Sequence, residues 1–274
     1  MDNPVIGFIG GGNMAASLIG GLIADGVPPS RLWVAEPDAT RRKGLEARFG
    51  VQAREDNRAV AEVADVLVLA VKPQVIREVA RALAPIVQAR RPLVISIAAG
   101  VRERDLERWM GKVPLVRAMP NTPALVQSGA TALHANPYVD EDQRAMAESI
   151  LRAVGITLWV EEEAQMDAVT ALSGSGPAYF FLVMEAMQEA GHELGLPLET
   201  ARILTLQTAL GAARMALESE EDVALLRRRV TSPGGTTEQA LRVLEEGGIR
   251  TLFKKALKAA YERSRALAQQ LGDT

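Results

Sequence analysis

Three consecutive glycines, Gly10, Gly11 and Gly12, stand between an aliphatic run and a helical pattern. Val5–Ile9 reads as a strand, and Met14–Ala24 carries apolar residues at helical spacing. Read as G-x-G-x-x-A, Gly10 makes the tight turn and Gly12 lets a pyrophosphate approach the backbone. Ala15 keeps the helix close to the strand. The helix amino terminus, at Asn13 and Met14, then presents unpaired N–H groups and a positive dipole end to phosphates. A bare strand–helix turn with no ligand is the plainer reading. The strand before and the helix after supply the context that the dinucleotide reading requires.

The residues that follow repeat the alternation. Leu32–Ala35, Val66–Val71, Leu93–Ile97 and Leu115–Ala118 read as strands. Thr40–Phe49, Arg77–Leu83 and Arg104–Met110 read as the helices between them. Near-continuous aliphatic runs suit strands buried on both faces of a parallel sheet. The β-α-β-α order points to a doubly wound α/β fold. Ala130–His134 and Ile156–Val160 add short strands around a helix near Gln143–Val154.

Beyond about Glu163 the pattern is helical throughout: Ala178–Leu194, Leu198–Leu217, Val223–Val230, Thr237–Glu245 and Ile249–Leu271. The expected organisation is therefore a dinucleotide-binding domain at 1–161 and a helical domain at 162–274. Tyr179, Phe180, Phe181, Leu182, Val183 and Met184 follow one another, so their helix is apolar nearly all round and is expected to be buried on every side. Burial between subunits explains this as well as burial within one, and a homo-oligomer is expected.

Composition removes whole classes of chemistry. The 274 residues include no cysteine and two histidines, His134 and His192. Disulfides, thiolate metal sites, a catalytic thiol and a three-histidine zinc site are excluded. Net charge is −3, which offers no global attraction to nucleic acid. No apolar run has the length of a membrane span, and Met-Asp-Asn-Pro-Val lacks the basic start of a signal peptide. A cytoplasmic protein without membrane or nucleic-acid partners is expected.

Polar groups collect at the ends of the aliphatic runs. Ala70-Val71-Lys72-Pro73 and Ile97-Ala98-Ala99-Gly100 close two strands, where a parallel sheet faces its ligand crevice. Met119–Pro123, with Asn121, closes another. Ser173–Pro177 and Thr231–Thr237 resemble helix amino termini, with hydroxyl caps, an early proline and free N–H groups. Two glycine-rich caps in a helical domain suggest an anion site, most simply for a carboxylate. Glu36, after the second strand, can bind the ribose hydroxyls of NAD and repel the extra phosphate of NADP. Arg41 and Arg42 lie just beyond, within reach of that phosphate; all three also fit a solvated loop.

Taken together, the chain resembles the pyrroline-5-carboxylate reductase family from its first strand to its last helix. The carriers are Ile9–Met14, Val71–Pro73, Ser96–Gly100, Met119–Pro123, Asp167–Tyr179 and Val230–Leu244. Thr231–Thr237 with Ala240 and Leu241 is the most specific. The resemblance implies an amino-terminal Rossmann domain and an all-helical dimerisation domain. It also implies an intertwined dimer and further assembly to a decamer. With the glycine turn, the acid after the second strand and the polar strand ends, it gives a cofactor set of Gly10, Gly12, Asn13, Met14, Glu36, Asn57, Ala70, Val71, Lys72, Pro73, Ile97, Ala98, Ala99 and Asn121. It places Glu163, Ser173, Ser175, Ser232, Gly234, Gly235, Thr236 and Thr237 at the substrate, 1-pyrroline-5-carboxylate. NADPH is the expected donor, with NADH as the alternative. Ala15, in place of a third glycine, and the charged Glu36 depart from the pattern.

The implied reaction adds hydride to the C=N carbon of a cyclic imine, and the product is L-proline. The cofactor supplies the difficult chemistry, so the protein positions and polarises. Thr237 is expected to hydrogen-bond the imine nitrogen, and the N–H groups of Gly234, Gly235 and Thr236 to hold the carboxylate; simple helix capping is the plainer role. Two other readings compete with this one. A 3-hydroxyacid dehydrogenase commonly needs a lysine in its helical domain, where this chain has only Lys254, Lys255 and Lys258, all in the terminal helix. A non-enzymatic dinucleotide sensor would not need the Ser232–Thr237 loop.

Overall fold

The computed structural model describes residues 4–273. The first elements alternate as expected: β1 (Ile6–Ile9), α1 (Asn13–Ala24), β2 (Leu32–Ala35), α2 (Ala39–Phe49), β3 (Gln52–Arg54), α3 (Asn57–Ala61), β4 (Val66–Leu69), α4 (Ile76–Arg90), β5 (Leu93–Ser96), α5 (Glu103–Met110) and β6 (Leu115–Met119). β7 (Gly129–Ala135), α6 (Glu141–Arg152) and β8 (Gly155–Trp159) complete an eight-stranded sheet. Its order is β3-β2-β1-β4-β5-β6-β7-β8, and every pair is parallel except β6 with β7.

β1 lies between β2 and β4, with Ile6 opposite both Leu32 and Val66. The chain order reverses across β1, so the crevice at its carboxyl end is the topological switch point of the sheet. Each central strand is buried along its whole length, which explains the unbroken aliphatic runs. Alternate side chains feed two cores. Phe8, Val34, Val68 and Ile95 pack with Leu18 and Ile19 of α1, while Ile9, Leu67 and Leu69 pack with Ile76, Leu83, Leu106 and Trp109. Gly7 lets α3 approach, because a Cβ there would lie 2.7 Å from Val60 Cγ1 and 2.9 Å from Ala64 Cβ.

The sheet departs from the sequence expectation in detail. The β4 ladder ends at Leu69, so Lys72 stands in the turn beyond the strand. β3 and α3 gave no aliphatic signal, because only Ala53 of β3 is buried between Gln52 and Arg54.

After β8 the described residues are helical: α7 (Gln165–Val169), a π turn at Thr170–Gly174, α8 (Gly176–Glu193), α9 (Leu198–Glu218), α10 (Val223–Arg229), α11 (Thr236–Glu246) and α12 (Ile249–Asp273). These agree closely with the five expected helices. The chain forms two compact units, residues 1–175 with 260–274, and residues 176–259. In the second unit the apolar faces are open. Phe180 is 67% exposed and Phe181 65%, so α8 is not buried on every side within its own chain.

Candidate active site

The glycine turn is built for a close approach. Gly10 has φ +100°, and a Cβ there would lie 2.7 Å from the Ala70 carbonyl oxygen, so both conformation and space demand glycine. A Cβ on Gly12 would meet nothing within 4 Å, which leaves its backbone open to a bulky group. Gly12 is the cap residue of α1, and no side chain caps that helix end. Ala15 is fully buried beneath the turn, Met14 is half-buried and Asn13 is exposed. An uncapped helix start above an open backbone is what a pyrophosphate needs, so these residues fit a dinucleotide.

The neighbouring strand ends join the same crevice. The Ala70 N–H donates to the Ile9 carbonyl at 2.9 Å, and the Ile97 N–H donates to the Leu69 carbonyl at 3.2 Å. Asn57 opens α3 behind Asp56, whose side chain accepts from the Arg58 N–H. Lys72 is exposed, and Ala98 is buried between Ile97 and Ala99. Glu36 is 5% exposed at the end of β2. Its Oε2 accepts from the Gly11 N–H at 3.1 Å and its Oε1 from the Asp38 N–H at 3.0 Å. A solvated loop is therefore the wrong description of Glu36.

Three predicted residues from distant parts of the chain meet at a cavity of about 270 Å³ in the first unit. Pro73, Ala99 and Ser175 line it with Gln74, Gly100, Thr170 and the α12 residues Ala260, Arg263, Ser264, Leu267 and Leu271. Gly100 has φ +77°, and a Cβ there would touch Leu271 at 3.4 Å. The Asn121 amide nitrogen donates to the Ser173 carbonyl at 3.3 Å and to its hydroxyl at 3.1 Å, while Asn121 Oδ1 accepts from the Ala130 N–H at 2.9 Å. Asn121 thus fixes the π turn against the end of β6. The turn differs from the free helix cap read from the sequence. The Ser175 N–H donates to the Thr170 carbonyl at 2.8 Å, so it is already used. Single π turns of this kind are frequent at functional sites.

Glu163 faces elsewhere. Its Oε1 accepts from Arg117 at 2.5 Å and from the Glu103 N–H at 2.7 Å, and it borders a separate cavity of about 430 Å³ with Arg102, Arg104 and Arg265. Beside it, Asp167 is buried, accepting from Arg102 at 2.6 Å and from the Ser264 hydroxyl at 2.8 Å. Sequence reasoning gave Asp167 no role. Among the α7 residues only Met166 and Asp167 are buried, so no periodic signal marks this acid. His134 Nδ1 lies 2.5 Å from Glu103 Oε1, and its Nε2 lies 3.3 Å from the Glu161 carbonyl. The Glu103 hydrogen bond raises the His134 pKa most. Burial opposes it, and the Glu103 charge, the Glu161 carbonyl and the Glu163 charge add to the rise. His192 faces the Leu196 carbonyl at 2.9 Å.

In the second unit the chain reaches α11 through Ser232, Pro233, Gly234 and Gly235. Gly234 has φ +71°, Gly235 is the cap residue, and the helix starts with Thr236 and Thr237. No side chain supplies the cap bond, so neither threonine hydroxyl caps the helix. The Gly235 N–H donates to the Ser232 carbonyl at 3.0 Å, and the Gly234 N–H donates to Glu238 Oε2 at 2.7 Å. A carboxylate already sits on one of the three N–H groups expected to hold a carboxylate.

Comparison with known proteins decides the family. A model described as pyrroline-5-carboxylate reductase dimerisation matches residues 163–267, and one described as NADP oxidoreductase coenzyme F420-dependent matches residues 5–100. The pyrroline-5-carboxylate reductase of Pseudomonas aeruginosa is 54% identical over 273 residues, which is 99% of this chain and 100% of that protein. The chain belongs to the pyrroline-5-carboxylate reductase family. The solved reductase of Coxiella burnetii is 54% identical, with a TM-score of 0.94 over 97% of this chain and 99% of that one. That of Plasmodium falciparum, solved with NADP bound, is 31% identical, with a TM-score of 0.86 over 98% and 99%. The reductase family thus accounts for both halves: a Rossmann sheet, then helices whose matched region includes the Ser232–Thr237 loop. The dehydrogenase and sensor readings fall away.

Proposed function

We propose that this chain reduces 1-pyrroline-5-carboxylate to L-proline with NAD(P)H, the last step of proline biosynthesis. The observation that carries the reading is a glycine turn open to a pyrophosphate at the switch point of the sheet, in a chain 54% identical to a reductase of that name over nearly its whole length. When bound, NAD(P)H would supply the hydride for the C=N carbon; the ring nitrogen enters protonated, as the iminium, so that hydride addition leaves the amine of proline and the oxidised cofactor. The protein's own groups do the rest. Gly10, Gly12, Asn13 and Met14 hold the pyrophosphate; Glu36 and Asn57 stand on the adenosine side. Ala70–Pro73, Ile97–Ala99 and Asn121 border the nicotinamide, with Lys72 as a donor to its carboxamide or ribose.

Substrate contacts are assigned to the residues expected for them. The N–H groups of Gly234, Gly235 and Thr236 hold the carboxylate, and the Thr237 hydroxyl donates to or accepts from the imine nitrogen. Ser173, Ser175 and Ser232 contribute hydroxyls. Because Glu238 occupies the Gly234 N–H and the Ser232 carbonyl occupies the Gly235 N–H, the incoming carboxylate displaces the first and shares the second. Glu163 supports the site indirectly, through Arg117 and the start of α5.

The functional division we assign is 1–161 for cofactor and 162–274 for substrate and dimerisation, supported by the dimerisation model's start at residue 163. Open phenylalanines on α8 support a dimer, and an intertwined dimer assembling to a decamer is the form we assign. The cytoplasm is the assigned compartment. No helix among the described residues is long and apolar enough to cross a membrane.

The test is steady-state loss of NAD(P)H absorbance with the cyclic imine. Thr237→Ala is expected to lower kcat by about 10²-fold, as for loss of a single transition-state hydrogen bond. Unchanged turnover would remove Thr237 from its role, and no oxidation by the wild type would remove the function.

A further inference from the structure

Glu36 fixes the donor. We infer that this reductase takes NADH in preference to NADPH, because the buried Glu36 carboxylate accepts the adenosine ribose hydroxyls and excludes a 2′-phosphate. The inference rests on the cofactor site proposed above and sharpens it.

The carboxylate is held from two sides. Its Oε2 accepts from Gly11, inside the glycine turn, and its Oε1 from Asp38, at the start of α2. A Cβ on Gly11 would lie 2.6 Å from Leu45 Cδ1 and 3.1 Å from Glu36 Oε2. The middle glycine is therefore shaped around Glu36 and Leu45, and the acid is built into the turn. An ionised carboxyl group has about four acceptor sites. Two are filled by backbone N–H groups, and two remain for a pair of vicinal hydroxyls. Such O–H···O⁻ bonds are the strong, charge-assisted kind.

A phosphate monoester at the 2′ position carries about −1.5 to −2 charge near neutral pH. Beside a fixed, buried carboxylate it meets repulsion that solvent screens little. The arginines do not reverse this. Arg42 donates to the carbonyls of Glu36 at 2.7 Å and Pro37 at 3.2 Å, and it pairs with Glu55 at 3.4 Å. Arg54 donates to the Ala53 carbonyl and stacks 4.7 Å from the Trp33 ring centroid. Arg41 leans on Glu36 itself, at 3.6 Å. Arg42 and Arg54 are thus engaged by carbonyls and neighbouring side chains, and Arg41 pairs with Glu36 itself.

Equilibrium binding of NADH and NADPH to the full-length enzyme, by titration calorimetry without substrate, tests this apart from activity. The wild type is expected to bind NADH at least about ten-fold more tightly than NADPH. Glu36→Gln keeps an acceptor for the Gly11 N–H and removes the charge. It is expected to tighten NADPH by about ten-fold and to weaken NADH by about ten-fold, because the charge-assisted bonds to the ribose hydroxyls are lost. Arg41→Ala is expected to leave NADPH affinity within about two-fold, and it decides the question even if the Gln variant does not fold. NADPH binding as tightly as NADH in the wild type overturns the inference and leaves the reductase reading standing. A ten-fold loss of NADPH affinity in Arg41→Ala also overturns it. Binding of neither nucleotide overturns both.

Discussion

The two compact units of this chain treat their apolar residues in opposite ways. In the first, β1, β4 and β5 are buried at every position, and Phe8, Leu18, Leu67 and Leu83 are sealed from solvent. In the second, α10 and α11 bury no residue fully, α9 buries only Ala201 and Thr205, and Phe180 and Phe181 lie open on α8. α12 repeats the contrast within one helix. Ser264 and Ala268 are buried, and Phe253, two turns earlier than Ala260, is exposed. A sheet with helices on both faces closes its own core. A sheet-free unit whose helices carry wide apolar faces does not, and a second copy is the natural cover.

Charging the open face should produce the largest effect. Burying a phenylalanine side chain contributes roughly 1.5–3 kcal/mol, and a two-fold interface counts each one twice. Phe180→Asp with Phe181→Asp should raise the dimer Kd by more than about 10³-fold and abolish turnover, while NAD(P)H binding to the first unit survives. Light scattering that still shows a dimer would break the comparison. Phe8→Ala, on the closed side, should lower stability by about 3–5 kcal/mol in urea unfolding and leave assembly alone. A loss below about 1 kcal/mol would mean that the sheet core is looser than its burial implies. Asp167→Ala should cost about 2–3 kcal/mol, less than for a fully buried pair because Arg102 keeps some contact with water. No change in the urea midpoint would show that the Arg102–Asp167–Ser264 cluster does not stabilise the first unit, to which all three residues belong.

The same contrast explains what could be read before the structure. Strands buried on both faces are mostly aliphatic, so β1, β2, β4, β5 and β6 are legible even though β6 buries Arg117, and helical spacing reveals all five carboxy-terminal helices. β3 is not, because a short edge strand needs only Ala53 inside. The glycine turn was legible because φ +100° and the nearness of Ala70 leave no choice at position 10. Pro73, Ala99 and Ser175, each at the end of a different run, meet at one cavity. Residues whose role depends on where a flexible side chain points were harder. Glu163 turned to Arg117, and Arg42 turned to carbonyls, for reasons set by the tertiary surroundings. The π turn is illegible too, since Thr170–Gly174 departs from an α-helical turn by reaching one carbonyl further back, as the Ser175 N–H does to Thr170, and residue type does not mark that.

The smallest expected effect separates the units by pH. His134 is in the first unit, between the carboxylate of Glu103 and the carbonyl of Glu161; Glu163 adds its charge, and Arg117 pairs with His134 across the β6–β7 ladder. Its pKa is raised above the ordinary 6.5, chiefly by the hydrogen bond to Glu103. A raised folded-state pKa means that the native chain holds the proton more tightly than the unfolded one. The stabilisation is then complete below the unfolded value and is lost as pH rises through the folded one. Urea midpoints of the wild type should fall between about pH 6 and the top of the raised range, and His134→Gln should flatten that slope. A wild-type midpoint that rises over the same interval would show that the folded chain binds this proton less tightly than the unfolded one, and that the histidine is held neutral. The association constant of the dimer should not follow this titration, because His134 and its partners all belong to the unit that closes its own core.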